Sequence, residues 1–117
     1  MSTPTSRNLY LTRGDDKYYI LTFTDSNGDP IDITGWTIFF TVKRDLDDTD
    51  DEALIKKDIT SHTDPTNGQT RIHLTNDDTD LIGSYYYDIQ VKKNDGTIIT
   101  ILEGAITFKK DITQRTE

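Results

Sequence analysis

The sequence predicts an all-β protein, a two-layer antiparallel sandwich of seven to eight strands, on three observations. First, short runs of residues that alternate apolar and polar recur at roughly even spacing, separated by clusters of Gly, Asn, Asp and Pro. Second, a capped corner enters the most strongly patterned of these runs. Thr75-Asn76-Asp77-Asp78 has capping-box form, a Thr with an acid three residues on. One helical turn is expected there, ended by Gly83 in a backbone conformation that suits glycine. Gly83-Ser84-Tyr85-Tyr86-Tyr87 then opens a period-two run that lasts to Val91. A short helical corner followed by Gly-x-Tyr-x-Tyr is how immunoglobulin-like sandwiches enter their sixth strand. Third, only 32% of residues are hydrophobic and 29% are charged, which suits a thin protein whose strands show one face to water. The apolar residues are too regularly placed for a disordered chain. The expected fold is therefore an Ig-like antiparallel β-sandwich with a one-turn helix at the corner before the Gly83–Tyr87 strand.

A length of 117 residues points to one domain. Met1 to Ser6, rich in Ser, Thr and Pro, is expected to be a flexible arm, residues 7–113 the folded sandwich, and residues 114–117 a flexible tail. Arg7 to Thr12 reads as a short edge strand and Arg13-Gly14-Asp15-Asp16 as a turn. Lys17 to Thr24 places Tyr19, Leu21 and Phe23 inward. Trp36 to Lys43 places Trp36, Ile38, Phe40 and Val42 on one face, and is expected to meet the Tyr85–Val91 strand across the core. Ala53 to Ile59 is a weaker strand anchored by Leu54 and Ile59. Asn67-Gly68 signals a hairpin before Gln69–Thr75, whose Ile72 and Leu74 point inward. Asn94-Asp95-Gly96-Thr97 signals a type I′ hairpin turn. In the closing strand, Thr97 to Lys109, Gly104 is expected to mark a bulge or a bend where the strand changes partner. Trp36 and Tyr85 are expected in the core, with the Tyr85 hydroxyl free to bind backbone at the corner.

Composition excludes several functions. The net charge of −8 leaves no basic footprint for nucleic acid or anionic membrane. The chain has no Cys, hence no disulfide framework, thiolate zinc site or cysteine nucleophile, and it fits a reducing compartment. No charged-then-apolar leader precedes residue 20, and no apolar run approaches the roughly 18 residues that a membrane helix needs. Gly-x-Ser-x-Gly and the phosphate-cradling loop are both missing from the sequence. His62 and His73 have no second ligand at metal spacing. The carboxylates lie in loops without an apolar setting to raise one pKa. No enzyme, no cofactor and no metal are expected.

Three stretches invite a binding role. Arg13-Gly14-Asp15 spells an adhesive tripeptide, but Gly14 turning the chain and Asp15 capping the turn explain it. The acidic loop Asp45 to Glu52 departs from an EF-hand, with Asp50 where the Gly and Lys56 where the closing Glu should stand; it reads as a solvated loop, with a calcium site of another kind as the alternative. Tyr18, Phe39 and Tyr86 are aromatics on the phase opposite the core, and are the candidate partner contacts. Tyr10 extends this group. Were Tyr18, Tyr86 and Asp88 to line one groove, the chain would suit a carbohydrate-binding or adhesin-like module.

In their order and spacing these pieces resemble the N-terminal Ig-like domain of phage baseplate upper proteins, tail structural proteins of phages and prophages of Gram-positive hosts. Arg13-Gly14-Asp15 follows the first strand. Asp29-Pro30-Ile31-Asp32-Ile33-Thr34-Gly35 precedes Trp36-x-Ile38-x-Phe40-x-Val42-Lys43. Ala53-Leu54-Ile55-Lys56-Lys57 follows the acidic loop, Asn67-Gly68 precedes Ile72-His73-Leu74-Thr75, Asp78-Thr79 leads to Gly83–Gln90, and Gly104-Ala105-Ile106-Thr107-Phe108 closes the domain. The resemblance runs from Asn8 to Thr113. It implies a non-enzymatic structural role in a tail or baseplate, assembled in the bacterial cytoplasm. The domain would contact other tail proteins, link them to receptor-binding components, and be open to homo-oligomer formation in the particle. Tyr87 stands where an antibody domain has a Cys, and Leu81 where an Asp is usual before the Gly.

Overall fold

The structure is a computed structural model. It describes residues 5–45, 47, 49 and 52–112. Among them are eight strands: β1 (Thr5–Ser6), β2 (Leu9–Thr12), β3 (Lys17–Thr22), β4 (Thr37–Lys43), β5 (Ile55–Ile59), β6 (Gln69–Leu74), β7 (Gly83–Lys92) and β8 (Ile98–Lys109). The larger sheet runs β1-β8-β7-β4-β5, with β2 also on β8; the facing sheet is β3-β6. The fold is the expected all-β sandwich. One sheet is much the wider, so most of its outer face is broad and open.

Alternation explains the core. Ile38, Phe40 and Val42 of β4, Tyr87, Ile89 and Val91 of β7, and Ile106 and Phe108 of β8 are buried on the inner face of the large sheet. Ile72 and Leu74 of β6 close over them, with Tyr19 and Leu21 of β3 packed alongside. The strand of Trp36 does not meet β7 across the core. β4 pairs directly with β7 in the same sheet, Phe40 opposite Ile89, because both carry their apolar residues toward the two-stranded sheet. Trp36 itself precedes β4 and is half-buried, edge-on to Phe23 at 5.7 Å, with the Lys93 ammonium 5.5 Å above its ring. Ile55, not Leu54, is the buried anchor of β5.

The first strand runs parallel to β8, which the antiparallel expectation did not include. Leu9 pairs with Ile106, and in the same register Thr5 pairs with Leu102, so Thr5 and Ser6, placed by sequence in the arm, form β1. Residues 1–4 and 113–117, and with them the expected tail, lie outside the described residues. Between β1 and β2 the chain crosses Gly104. A Cβ there would lie 2.3 Å from the Arg7 carbonyl oxygen, so Gly104 serves close backbone approach. It lies where β8 changes partner from β1 to β2, as expected, whereas the bulge lies beside Ile101, between the pairs Ile89–Leu102 and Gln90–Thr100. That extra residue reverses the phase of β8: Ile99 turns inward and Ile98 outward.

The corner before β7 is a capped turn closed by one i+4 hydrogen bond, Thr79 N–H to the Thr75 carbonyl at 3.1 Å. The capping box is present. Thr75 donates its N–H and hydroxyl to Asp78 Oδ2, and the Asp78 N–H returns to Thr75 Oγ1. With a single such bond it stays a turn; the regular helix among the described residues is a 3-10 segment, Pro65–Asn67, ended by Gly68. Asn67-Gly68 thus ends a helical turn and does not form a two-residue hairpin. At Asn94-Asp95-Gly96 only Gly96 has positive φ, so the β7–β8 turn is three residues long, not type I′.

Candidate functional site

The outer face of the large sheet is built by the second phase of each strand. β4 offers Phe39, Thr41 and Lys43; β7 offers Tyr86, Asp88 and Gln90; β8 offers Glu103 and Ala105; β5 offers Lys56 and Asp58. Register sets these in rows. One row reads Glu103–Asp88–Thr41–Lys56, the next Ala105–Tyr86–Lys43, and the row on the other side Thr100–Gln90–Phe39–Asp58. Small residues at the middle and longer ones around them leave a shallow concavity of about 880 Å³. Tyr86 is 45% exposed and Ile98 57%. Sequence alternation finds Phe39 and Tyr86; Ile98 escapes it, because the bulge that turns it outward has no signature before the strand is paired.

Tyr18 lies elsewhere. It stands on the outer face of the two-stranded sheet, stacked on His73 at 4.1 Å with the Arg71 guanidinium 4.7 Å above its ring. Tyr18 and Tyr86 therefore face away from each other across the sandwich. The groove of Tyr18, Tyr86 and Asp88 that a sugar-binding reading requires does not form. Tyr10, 74% exposed, sits at the β2 edge beside a smaller depression with Lys17 and Lys109.

The remaining candidates are absorbed by structure. Arg13 donates to Asp111 at 2.9 Å. Gly14 turns the chain, but it is Asp16, not Asp15, that caps an amide, that of Asn76 in the corner. The buried Thr79 hydroxyl donates to the Asp15 carbonyl at 2.8 Å, tying turn to corner. His62 uses both ring nitrogens, one with Thr70 Oγ1 at 2.8 Å and the other with the Trp36 carbonyl at 2.7 Å. The Trp36 contact requires that nitrogen to carry the proton. Of the acidic loop, Glu52 accepts from the N–H and hydroxyl of Thr49, and its own N–H donates to the Thr49 carbonyl, closing a tight turn, while Leu46, Asp48, Asp50 and Asp51 lie outside the described residues. Among the described residues no group of three His, Asp or Glu is placed to hold a metal ion. No helix among them is long and apolar enough to cross a membrane.

The carboxyls with displaced titration move downward. Asp32 is lowered by hydrogen bonds from Thr34, Glu52 by those from Thr49, and Asp95 by those from Thr97. Burial works against the charged form of Asp78, but hydrogen bonds from Lys57 and Thr75 outweigh it and hold its carboxyl below the usual range. These shifts stabilise turns, and run opposite to the raised pKa of a general acid. Tyr19 and Tyr87 are raised, chiefly by burial.

The sequence pattern of the BppU N-terminal domain family, BppU being the baseplate upper protein, matches residues 3–116. The chain belongs to this family. It is accordingly a phage baseplate domain and a structural component of a virion tail. Among solved structures it is similar to the N-terminal domain of phage TP901-1 ORF48, at 16% identity and a TM-score of 0.49, over 90% of this chain and 85% of that one. It is also similar to the fibronectin(III)-like modules of Clostridium thermocellum CbhA, at 13% identity and a TM-score of 0.41, over 93% and 92%. No curated protein matches it.

Proposed function

We propose that the chain is a non-enzymatic assembly domain of a phage or prophage baseplate that joins other tail proteins and links them to receptor-binding components. The observation that carries this reading is family membership over nearly the whole chain. The outer face of the large sheet supports it, being wide and open and carrying Tyr86 and Phe39, aromatics of the kind that protein interfaces enrich. Phe39 and Tyr86 are the contact residues on that face; Tyr18 would serve a separate contact on the opposite side. In this role the domain is made and assembled in the bacterial cytoplasm, and its acidity (pI about 4.6) keeps it off nucleic acid.

Co-expression with the tail proteins encoded beside it tests the reading. A stoichiometric complex is expected on size exclusion, and Phe39→Ala with Tyr86→Ala is expected to weaken it about tenfold or more while leaving the far-UV spectrum unchanged. Failure to join any of those proteins would overturn the assembly role.

A further inference from the structure

The row Glu103–Asp88–Thr41–Lys56 crosses the outer face from β8 to β5, with acids at one end and a base at the other. Three strand spacings, about 14 Å, separate Glu103 from Lys56. A two-fold axis parallel to the strands, lying just above the outer face over the boundary between β7 and β4, lays β8 of one copy over β5 of another. Because Glu103 and Lys56 share a row, each then meets its opposite on the second copy, twice over. The same operation sets Tyr86 against Lys43 of the second copy, in the next row, and Phe39 against Gln90. Four aromatic rings, two from each copy, fill the shared depression.

We propose that this face pairs with a second copy of the chain, an inference that rests on the reading of the face as a protein-contact surface. Charge selects the occupant. The whole chain carries −8, so two copies repel in most orientations, whereas this alignment sets two Glu103–Lys56 pairs of unlike charge in register and lays Asp88 opposite Thr41 and Lys43 opposite Tyr86. The strip is roughly 20 by 24 Å, four strands by seven residues. That is at the small end of stable interfaces, so the expected dissociation constant is in the micromolar range.

Sedimentation velocity of the full chain over a concentration series tests the pairing with Lys56→Glu, Glu103→Lys, the double variant and an equal mixture of the two singles. The unsubstituted chain is expected to shift from monomer to dimer with concentration, and each single variant to weaken pairing about tenfold or more. The double variant restores both unlike contacts and is expected to pair again. The mixture, one face all acidic and the other all basic, is expected to form a heterodimer. A chain that stays monomeric throughout, with no heterodimer in the mixture, would overturn self-pairing. If such a chain still binds a tail protein through Tyr86, the assembly reading stands without it; if it binds none, both fall.

Discussion

Tyr87 ties the first segment of the chain to the core. Its ring is buried, tilted against Phe40 at 5.9 Å, and its hydroxyl donates to the Arg7 carbonyl at 2.5 Å. That bond exists because Gly104, paired opposite Tyr87, leaves room for the Arg7 backbone. Tyr87→Phe is expected to cost about 1 kcal/mol and to speed amide exchange at Arg7, which bonds to the Glu103 carbonyl. Unchanged exchange there would contradict the anchoring role. Depth ranks the large side chains. Phe40 is fully buried, whereas Trp36 and Tyr85 are partly exposed. Phe40→Ala should cost about 3–5 kcal/mol, and Trp36→Ala and Tyr85→Ala about half as much, by denaturant midpoint. The alternation gave all three the same inward phase, and phase says nothing of depth. Tyr85 sits at the mouth of the sandwich, where its hydroxyl donates to the Ile82 carbonyl at 2.6 Å, the corner bond its sequence setting suggested.

At the scale of elements, local patterns were legible and pairings were not. Capping residues, strand phases and the corner follow from neighbours in sequence, so Thr75 and Asp78 could be read directly. The parallel docking of β1 and β2 on β8, the bulge at Ile101 and the small size of the second sheet depend on partners distant in sequence. Gly104 shows the difference: its importance was visible, its cause was not. Gly104→Ala should cost about 2 kcal/mol or more, because backbone must move; loss of less than a few tenths would mean that β1 and β2 shift freely. β5 illustrates edge protection. Its inward Lys57 reaches the corner, 2.7 Å from Asp78, a charge that discourages further strands from adding there. Asp78 titrates lower when folded than the roughly 3.9 of an unfolded chain. The stabilisation is therefore full above that value and is lost as pH falls through the folded one. Asp78→Asn should flatten the loss of stability below about pH 4 in a pH series of denaturant midpoints.

For the whole molecule, the unequal sheets decide what is available to a partner. Two strands cannot cover a face five strands wide on both sides, so the inner side is the core and the outer side stays open. Phe39 and Tyr86 were legible as residues left over from the core; that they share a face with each other and not with Tyr18 required the register. The central claim, that this outer face is the assembly surface, is tested most directly by hydroxyl-radical footprinting of the free chain against the chain in assembled tail particles. Tyr86 and Phe39 are expected to lose most of their reactivity on assembly. Equal reactivity of Tyr86 and Phe39 in both states would contradict the account.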